Sequence, residues 1–166
     1  IIAKKGHSYS SWTTEKSTTV YESGVKFRLC ENCPHYEKKE IPQLKCSKPT
    51  LKKVQNTRSG VKITWGKVKG GDSYNIYRRT KSGSYRKIGT TKNNYYTDKT
   101  AKSGKRYYYY VKAVNEAGSS SASGSKSILH LADPTLKTPS STKSGITLKW
   151  SKVTGATGYV VYMQNS

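Results

Sequence analysis

Gly104-Lys105-Arg106-Tyr107-Tyr108-Tyr109-Tyr110-Val111-Lys112-Ala113-Val114-Asn115 decides how this chain is read. Its aromatic and β-branched residues favour a strand, and Tyr107, Tyr109, Val111 and Ala113 recur with a period of two. That period puts the four on a core and sends Tyr108, Tyr110 and Lys112 to the opposite face. The same alternation runs through Val61, Ile63 and Trp65 and again through Tyr74 and Ile76. Turn signals separate these runs: Thr57-Arg58-Ser59-Gly60, Lys69-Gly70-Gly71-Asp72, Lys81-Ser82-Gly83-Ser84 and Lys102-Ser103-Gly104-Lys105. Short strands punctuated every 8–12 residues or so predict a β-sandwich.

The composition agrees. Only 33% of the 166 residues are hydrophobic and mean hydropathy is −0.82, low for one compact core, whereas 14 Tyr and 14 Gly favour strands and turns. Several small β-rich modules fit better than a helical bundle or a doubly wound enzyme. No run approaches the roughly 18 apolar residues of a membrane span, and no signal peptide opens the chain, so any targeting signal is expected outside this segment. The net charge of +22 is concentrated in residues 48–131, which hold 19 Lys or Arg against three acids. Such a field attracts polyanions, including teichoic acids, anionic lipids, acidic glycans and nucleic acid. Nucleic acid is disfavoured as the partner, because the chain has no RNP aromatic motif, no GXXG loop and no helix for a major groove.

Self-similarity divides the chain. Pro49-Thr50-Leu51-Lys52 returns at 134–137, and Trp65, Val68, Gly70, Tyr74 and Tyr77 return as Trp150, Val153, Gly155, Tyr159 and Tyr162, each 85 positions on. A period near 85 suits one small sandwich. The sequence therefore predicts a small β-rich module at 1–47, a sandwich at 48–131 and the first three strands of a second sandwich at 132–166. A weaker echo between Ile2-Ala3-Lys4-Lys5-Gly6-His7 and Ile41-Pro42-Gln43-Leu44-Lys45-Cys46 suggests a chain that begins in the tail of a preceding module. Both ends read as cut from a longer multidomain protein.

The middle module resembles the fibronectin type III family in the form common on Gram-positive surface proteins and secreted enzymes. Gly60–Trp65 matches its second strand, Tyr74-Asn75-Ile76-Tyr77-Arg78 its third, Tyr96-Thr97-Asp98 its fifth and 104–115 its sixth. The resemblance implies an all-β fold: a seven-stranded sandwich flanked by a small CxxC module and an incomplete second sandwich. Under it Trp65 is the core tryptophan, Tyr107 the corner tyrosine, and Tyr74 and Trp150 structural partners. Gly6-His7, Trp12, Gly24, Arg28, Cys30-Glu31-Asn32-Cys33 and Glu40-Ile41-Pro42 resemble a short Cys-x-x-Cys repeat found beside such sandwiches. That repeat often carries Cys where this chain has Val20.

A module of about 40 residues buries only a modest core and usually needs a staple. Cys30 and Cys33 offer two: a structural zinc completed by His7, His35 or Cys46, or a disulfide in an oxidising compartment, with free thiols as the remaining case. No cofactor is otherwise required. His130, with no Cys or His neighbour, reads as a linker residue.

Catalysis is not expected. The middle module has only Asp72, Asp98 and Glu116 as acids, and no nucleophile, base and orienting group stand at a motif spacing. The main expectation is a non-catalytic stalk, spacer or adhesive region of a secreted or cell-wall-associated bacterial protein, located outside the cell. The alternative is a recognition module whose outward Tyr77, Arg79, Tyr108, Tyr110 and Lys112 bind a cell-wall polymer, an anionic glycan or a host surface protein. A third possibility is that strands of a partner chain complete the second sandwich.

Overall fold

The computed structural model describes residues 6–163, which are all-β. Among them no helix is long and apolar enough to cross a membrane. Ile2 to Lys5, four of the six residues in the first copy of the N-terminal sequence echo, lie outside the described residues.

Three short strands form the first sheet: β1 (Thr13–Lys16), β2 (Gly24–Leu29) and β3 (Tyr36–Ile41), antiparallel in the order β1-β2-β3. Charge and aromatic contacts hold it more than apolar burial does. The Arg28 guanidinium lies 4.2 Å from the Tyr9 ring centre and 4.9 Å from that of Trp12, while its Nη2 is 2.7 Å from Glu37. Lys38 bridges to Glu15, and Lys26 lies over Trp12. Exposed pairs of this kind contribute little each, so the module is thinly stabilised.

The middle module is the expected fibronectin type III-like sandwich. One sheet has the order β4-β5-β8, from β4 (Leu51–Thr57), β5 (Gly60–Trp65) and β8 (Tyr95–Asp98). The other is built around β6 (Ser73–Thr80) and β9 (Arg106–Asn115), with β7 (Arg86–Thr91) on β6 and both β10 (Gly118–Ser119) and β11 (Lys126–Leu129) on β9. Alternation along β5, β6 and β9 supplies the core. Val61, Ile63, Trp65, Ile76, Tyr109, Val111 and Ala113 are fully buried, and the Trp65 and Tyr74 rings meet at 5.3 Å. Tyr74 Oη accepts from Val68 N at 2.8 Å, and Tyr107 Oη accepts from Lys102 N at 3.0 Å. Each pins a turn to the core.

The edges of the two sheets meet through β4 and β11. Lys126 Nζ donates to Lys52 O at 2.9 Å and Asn56 Nδ2 to Leu129 O at 3.0 Å. Contacts from Lys52 to Asn56 thus rise in step with those from Lys126 to Leu129, and the two strands run in the same direction.

Gly60 starts β5 with φ +130°, and a Cβ there would stand 2.2 Å from the Asp98 carbonyl oxygen. Both the dihedral and the space exclude a side chain. Gly60→Ala is expected to lower unfolding free energy by more than the roughly 1–3 kcal/mol of backbone strain alone, measured by urea unfolding.

The third segment repeats the second in miniature. β12 (Ser140–Thr142) and β13 (Gly145–Thr147) pair as β4 and β5 do, and the Leu136–Trp150 bridge reproduces the Leu51–Trp65 pair. Trp150 meets Tyr159 at 5.5 Å, and Tyr159 Oη accepts from Val153 N at 2.6 Å. The third strand expected around Tyr159 and Tyr162 is not formed. A strand like β6 is held from both sides by β7 and β9, and among the described residues no strand pairs with 159–163. Val160, Tyr162 and Met163 are accordingly exposed.

Two other expectations change. Cys46 is not a zinc corner: it is buried in the sandwich core, where burial, aided by Asp72, pushes its thiol up from the ordinary value. His130 is not a free linker residue. It is buried, its Nδ1 lies 2.9 Å from Asn56 Oδ1, and its backbone pairs with Lys105 and Gly104.

Candidate functional sites: an aromatic face and a thiol cluster

Register brings the outward residues of β6 and β9 together. Tyr77 stands opposite Tyr110, Arg79 opposite Tyr108 and Asn75 opposite Lys112. The Tyr77 and Tyr110 rings stack at 4.7 Å with 19° between planes. Tyr85, which the sequence places in the β6–β7 turn, joins them at 4.5 Å from Tyr110 and hydrogen-bonds Ser125 at 2.8 Å. Arg79 lies over both Tyr108 and Tyr85, 4.4 and 5.1 Å from the ring centres, while Nη1 donates to the Thr80 and Lys81 carbonyls.

Each of these side chains is half-buried. Burial, with Tyr77 and Tyr85 adjacent, raises the Tyr110 phenol above its ordinary value. The ring faces a sugar or base would stack on are therefore largely taken by one another and by Arg79. Lys112 is the cation of the set that makes no ring contact of this kind.

The second cluster sits at one end of the N-terminal sheet. Cys30, just after β2, bridges to Tyr9, its N–H donates to the His35 carbonyl at 2.8 Å, and Glu31 N donates to Ser8 O at 2.9 Å. These bonds close the Cys30–His35 loop and hold the segment bearing His7 against it. Cys33 Sγ is 3.3 Å from His7 Nδ1, and one donor atom from each of His7, Cys30 and Cys33 falls within 4.8 Å of the others. His35 stacks on His7 with 4.5 Å between ring centres. The Asn32 N–H and the Cys33 and His7 side chains draw the Cys30 thiol down to about 7.

Val20 lies nowhere near this loop. Its carbonyl accepts from Gln43 and Asn115, and its side chain packs on Gly70. A cysteine at that position would not reach Cys30 and Cys33 in this arrangement.

The acids of the middle module are otherwise engaged or isolated. Asp98 is buried against Arg78 Nη1 at 2.6 Å, Tyr109 Oη at 2.9 Å and the Thr100 hydroxyl at 2.8 Å. Asp72 and Glu116 are exposed. Asp72 lies close enough to the buried Cys46 thiol to raise it, which disfavours the thiolate a nucleophile would need.

What the sequence missed most is the build of the two junctions. Asn115 Nδ2 donates to Leu44 O at 2.8 Å and to Val20 O at 3.3 Å, tying the first module to the second. At the other end Ser103 Oγ donates to Thr154 O and accepts from Ala132 N, both at 3.0 Å. A Cβ on Gly70 would stand 2.6 Å from the Val20 carbonyl, and one on Gly155 2.6 Å from Gly104 Cα. Nothing in the local pattern marks these contacts, since their partners are far apart in sequence.

No protein-family model matches the chain, and no curated protein matches it significantly. Solved structures do. Over 51% of its length it is similar to an Fn3-like protein from Clostridium thermocellum, at 28% identity, TM-score 0.42 and 90% coverage of that chain. It is similar over 53% of its length to the protein FN3tt, at 23% identity, TM-score 0.44 and 97% coverage. A beta-1,2-glucanase from Parabacteroides distasonis matches 64% of the chain at 22% identity and TM-score 0.47, but the match spans only 17% of that protein. The fold assignment itself rests on the strand order and register above.

Proposed function

We propose that this chain is a non-catalytic structural segment, a stiff spacer within a multidomain protein exposed at a bacterial surface. The observation that carries the reading is the pair of close-packed junctions. At each, glycine lets backbones approach to where a side chain would not fit, and polar groups cross from one module to the next. Connections of this build resist bending more than a solvated linker does. The net charge of +22, most of it on the middle module, favours a segment that stays dispersed rather than self-associating.

The direct test is alignment of the protein in a dilute anisotropic medium with residual dipolar couplings measured for residues 13–41 and 51–129. One alignment tensor is expected to fit both, and two independent tensors would end the spacer reading. Asn115→Ala removes the bonds to Val20 and Leu44 and is expected to cost about 1–3 kcal/mol of stability and to speed proteolysis between Pro42 and Lys48.

The recognition reading keeps its own test, because the Tyr77–Tyr85–Tyr110 pile and Arg79 form a continuous surface. Tyr108→Ala/Tyr110→Ala is expected to destabilise by about 1–3 kcal/mol through lost ring and guanidinium contacts. It is expected to leave retention on Gram-positive cell walls unchanged at 1 M salt, where the screening length falls to about 3 Å. Salt-resistant retention lost in that variant would favour recognition over the spacer role.

A further inference from the structure

We propose that His7, Cys30 and Cys33 form a zinc site that staples the N-terminal module, with His7 Nδ1 and the two thiolates as protein ligands and the fourth corner open to solvent. The inference is independent of the spacer reading. It starts from what this module lacks. Its sheet is held by exposed ion pairs and rings, and apart from Gly24 its strand residues are half-buried or exposed, with Cys30 buried just past β2. A fold of this size normally needs more than that.

The geometry supplies the rest. Zinc takes sulfur at about 2.3 Å and imidazole nitrogen at about 2.0–2.1 Å, so tetrahedral donors stand about 3.5–3.8 Å apart. Cys33 Sγ and His7 Nδ1 are already 3.3 Å apart, and all three donors lie within 4.8 Å of one another. Closing the set around an ion needs shifts well under the width of a side chain.

The backbone presets the loop. The Cys30 N–H to His35 carbonyl bond folds 30–35 into a tight turn that points both thiols to one side, and Asn32 N lies 3.5 Å from Cys30 Sγ as a donor to a thiolate. Ser8 and Tyr9 hold the preceding His7 in place through their bonds to Glu31 and Cys30. The His35 ring, stacked on His7, orients that imidazole. Outer contacts of this sort fix a ligand ring before the metal arrives. Cys46, the remaining thiol, lies in the sandwich core and serves as the internal control.

The test uses the whole 166-residue chain, isolated without reductant, its thiols assayed and its mass measured before reduction. The reduced protein is then titrated with zinc against a chromophoric chelator and with cobalt, whose thiolate charge-transfer band reports sulfur ligation. One zinc per chain is expected. Cys30→Ser and Cys33→Ser are expected to abolish binding, and Cys46→Ala to leave it unchanged. His7→Ala, at an exposed position outside the strands, is expected to weaken it by at least about tenfold, since outer contacts alone are commonly worth that much. No zinc uptake by the reduced chain, affinity unchanged in His7→Ala, loss of binding in Cys46→Ala, or isolation with Cys30 and Cys33 already joined as a disulfide would each overturn the site.

Discussion

Asp98→Ala is expected to lower the unfolding free energy by about 3–5 kcal/mol, among the largest effects of any polar substitution in the chain. Asp98 is 1% exposed and receives hydrogen bonds from Arg78, Tyr109 and the backbone and hydroxyl of Thr100. It ties the end of β8 to β6 and β9, hence one sheet to the other. Burial alone would raise its carboxyl, but the bonds from Thr100, Arg78 and Tyr109 outweigh it and hold the group below the ordinary carboxylate value. Burial and the adjacent carboxylate push the Tyr109 phenol up, so it stays a donor. Removing the acid strands a guanidinium and a phenol in a partly dry pocket.

The pH dependence has a definite sign. A depressed folded value means the unfolded chain binds the proton first as pH falls. The Asp98 contribution is complete above the unfolded value near 3.9 and disappears as pH drops through the lower folded value. Urea unfolding between pH 7 and pH 2 is expected to show this acid slope in the native chain. Asp98→Asn, which keeps the shape but not the charge, is expected to flatten it and to be intermediate in stability at pH 7. An Asp98→Asn curve with the native slope would show that other carboxylates set the acid limit.

Trp65→Ala is expected to cost about 3–5 kcal/mol, because the ring is fully buried where β5, Tyr74 and both sheets meet. Its counterpart is the instructive comparison. Trp150 has the same sequence surroundings and the same partner tyrosine at nearly the same distance, 5.5 against 5.3 Å, yet it is only half-buried. Trp150→Ala is expected to change the main unfolding transition by less than about 1.5 kcal/mol. Thermal unfolding of both variants measures the difference, and equal losses would mean that the second copy folds as one unit with the first.

That comparison shows what the sequence could and could not convey. The alternation of Val61, Ile63 and Trp65 and of Tyr107, Tyr109 and Val111 is a local consequence of the pleat, so the core and the outward Tyr77–Tyr110 and Arg79–Tyr108 pairs were legible from it. The 85-residue repeat also aligns Trp150 and Tyr159 with the pair Trp65 and Tyr74, and both pairs prove to be in contact. It could not foretell whether a strand would form there, since that depends on pairing partners remote in sequence rather than on the local pattern. Cys46 reads like a third member of a metal set because its chemistry is the same as that of Cys30. A buried thiol also behaves as a small hydrophobe, and only the three-dimensional path shows which role applies. His130 and Tyr85 were misjudged or missed for the same reason, their partners Asn56 and Ser125 being 74 and 40 residues away.

The codirectional run of β4 and β11 has a mechanical consequence. Tension on a chain threaded through this sandwich enters at Leu51 and leaves at Leu129, at opposite ends of two strands lying side by side. The Lys126–Lys52 and Asn56–Leu129 bonds, with His130 behind them, are then loaded in shear and must give way together. A hairpin pulled from one end would instead unzip bond by bond. Under such a load these bonds resist the sliding of one strand along the other, and the two sheets keep their registry while they hold.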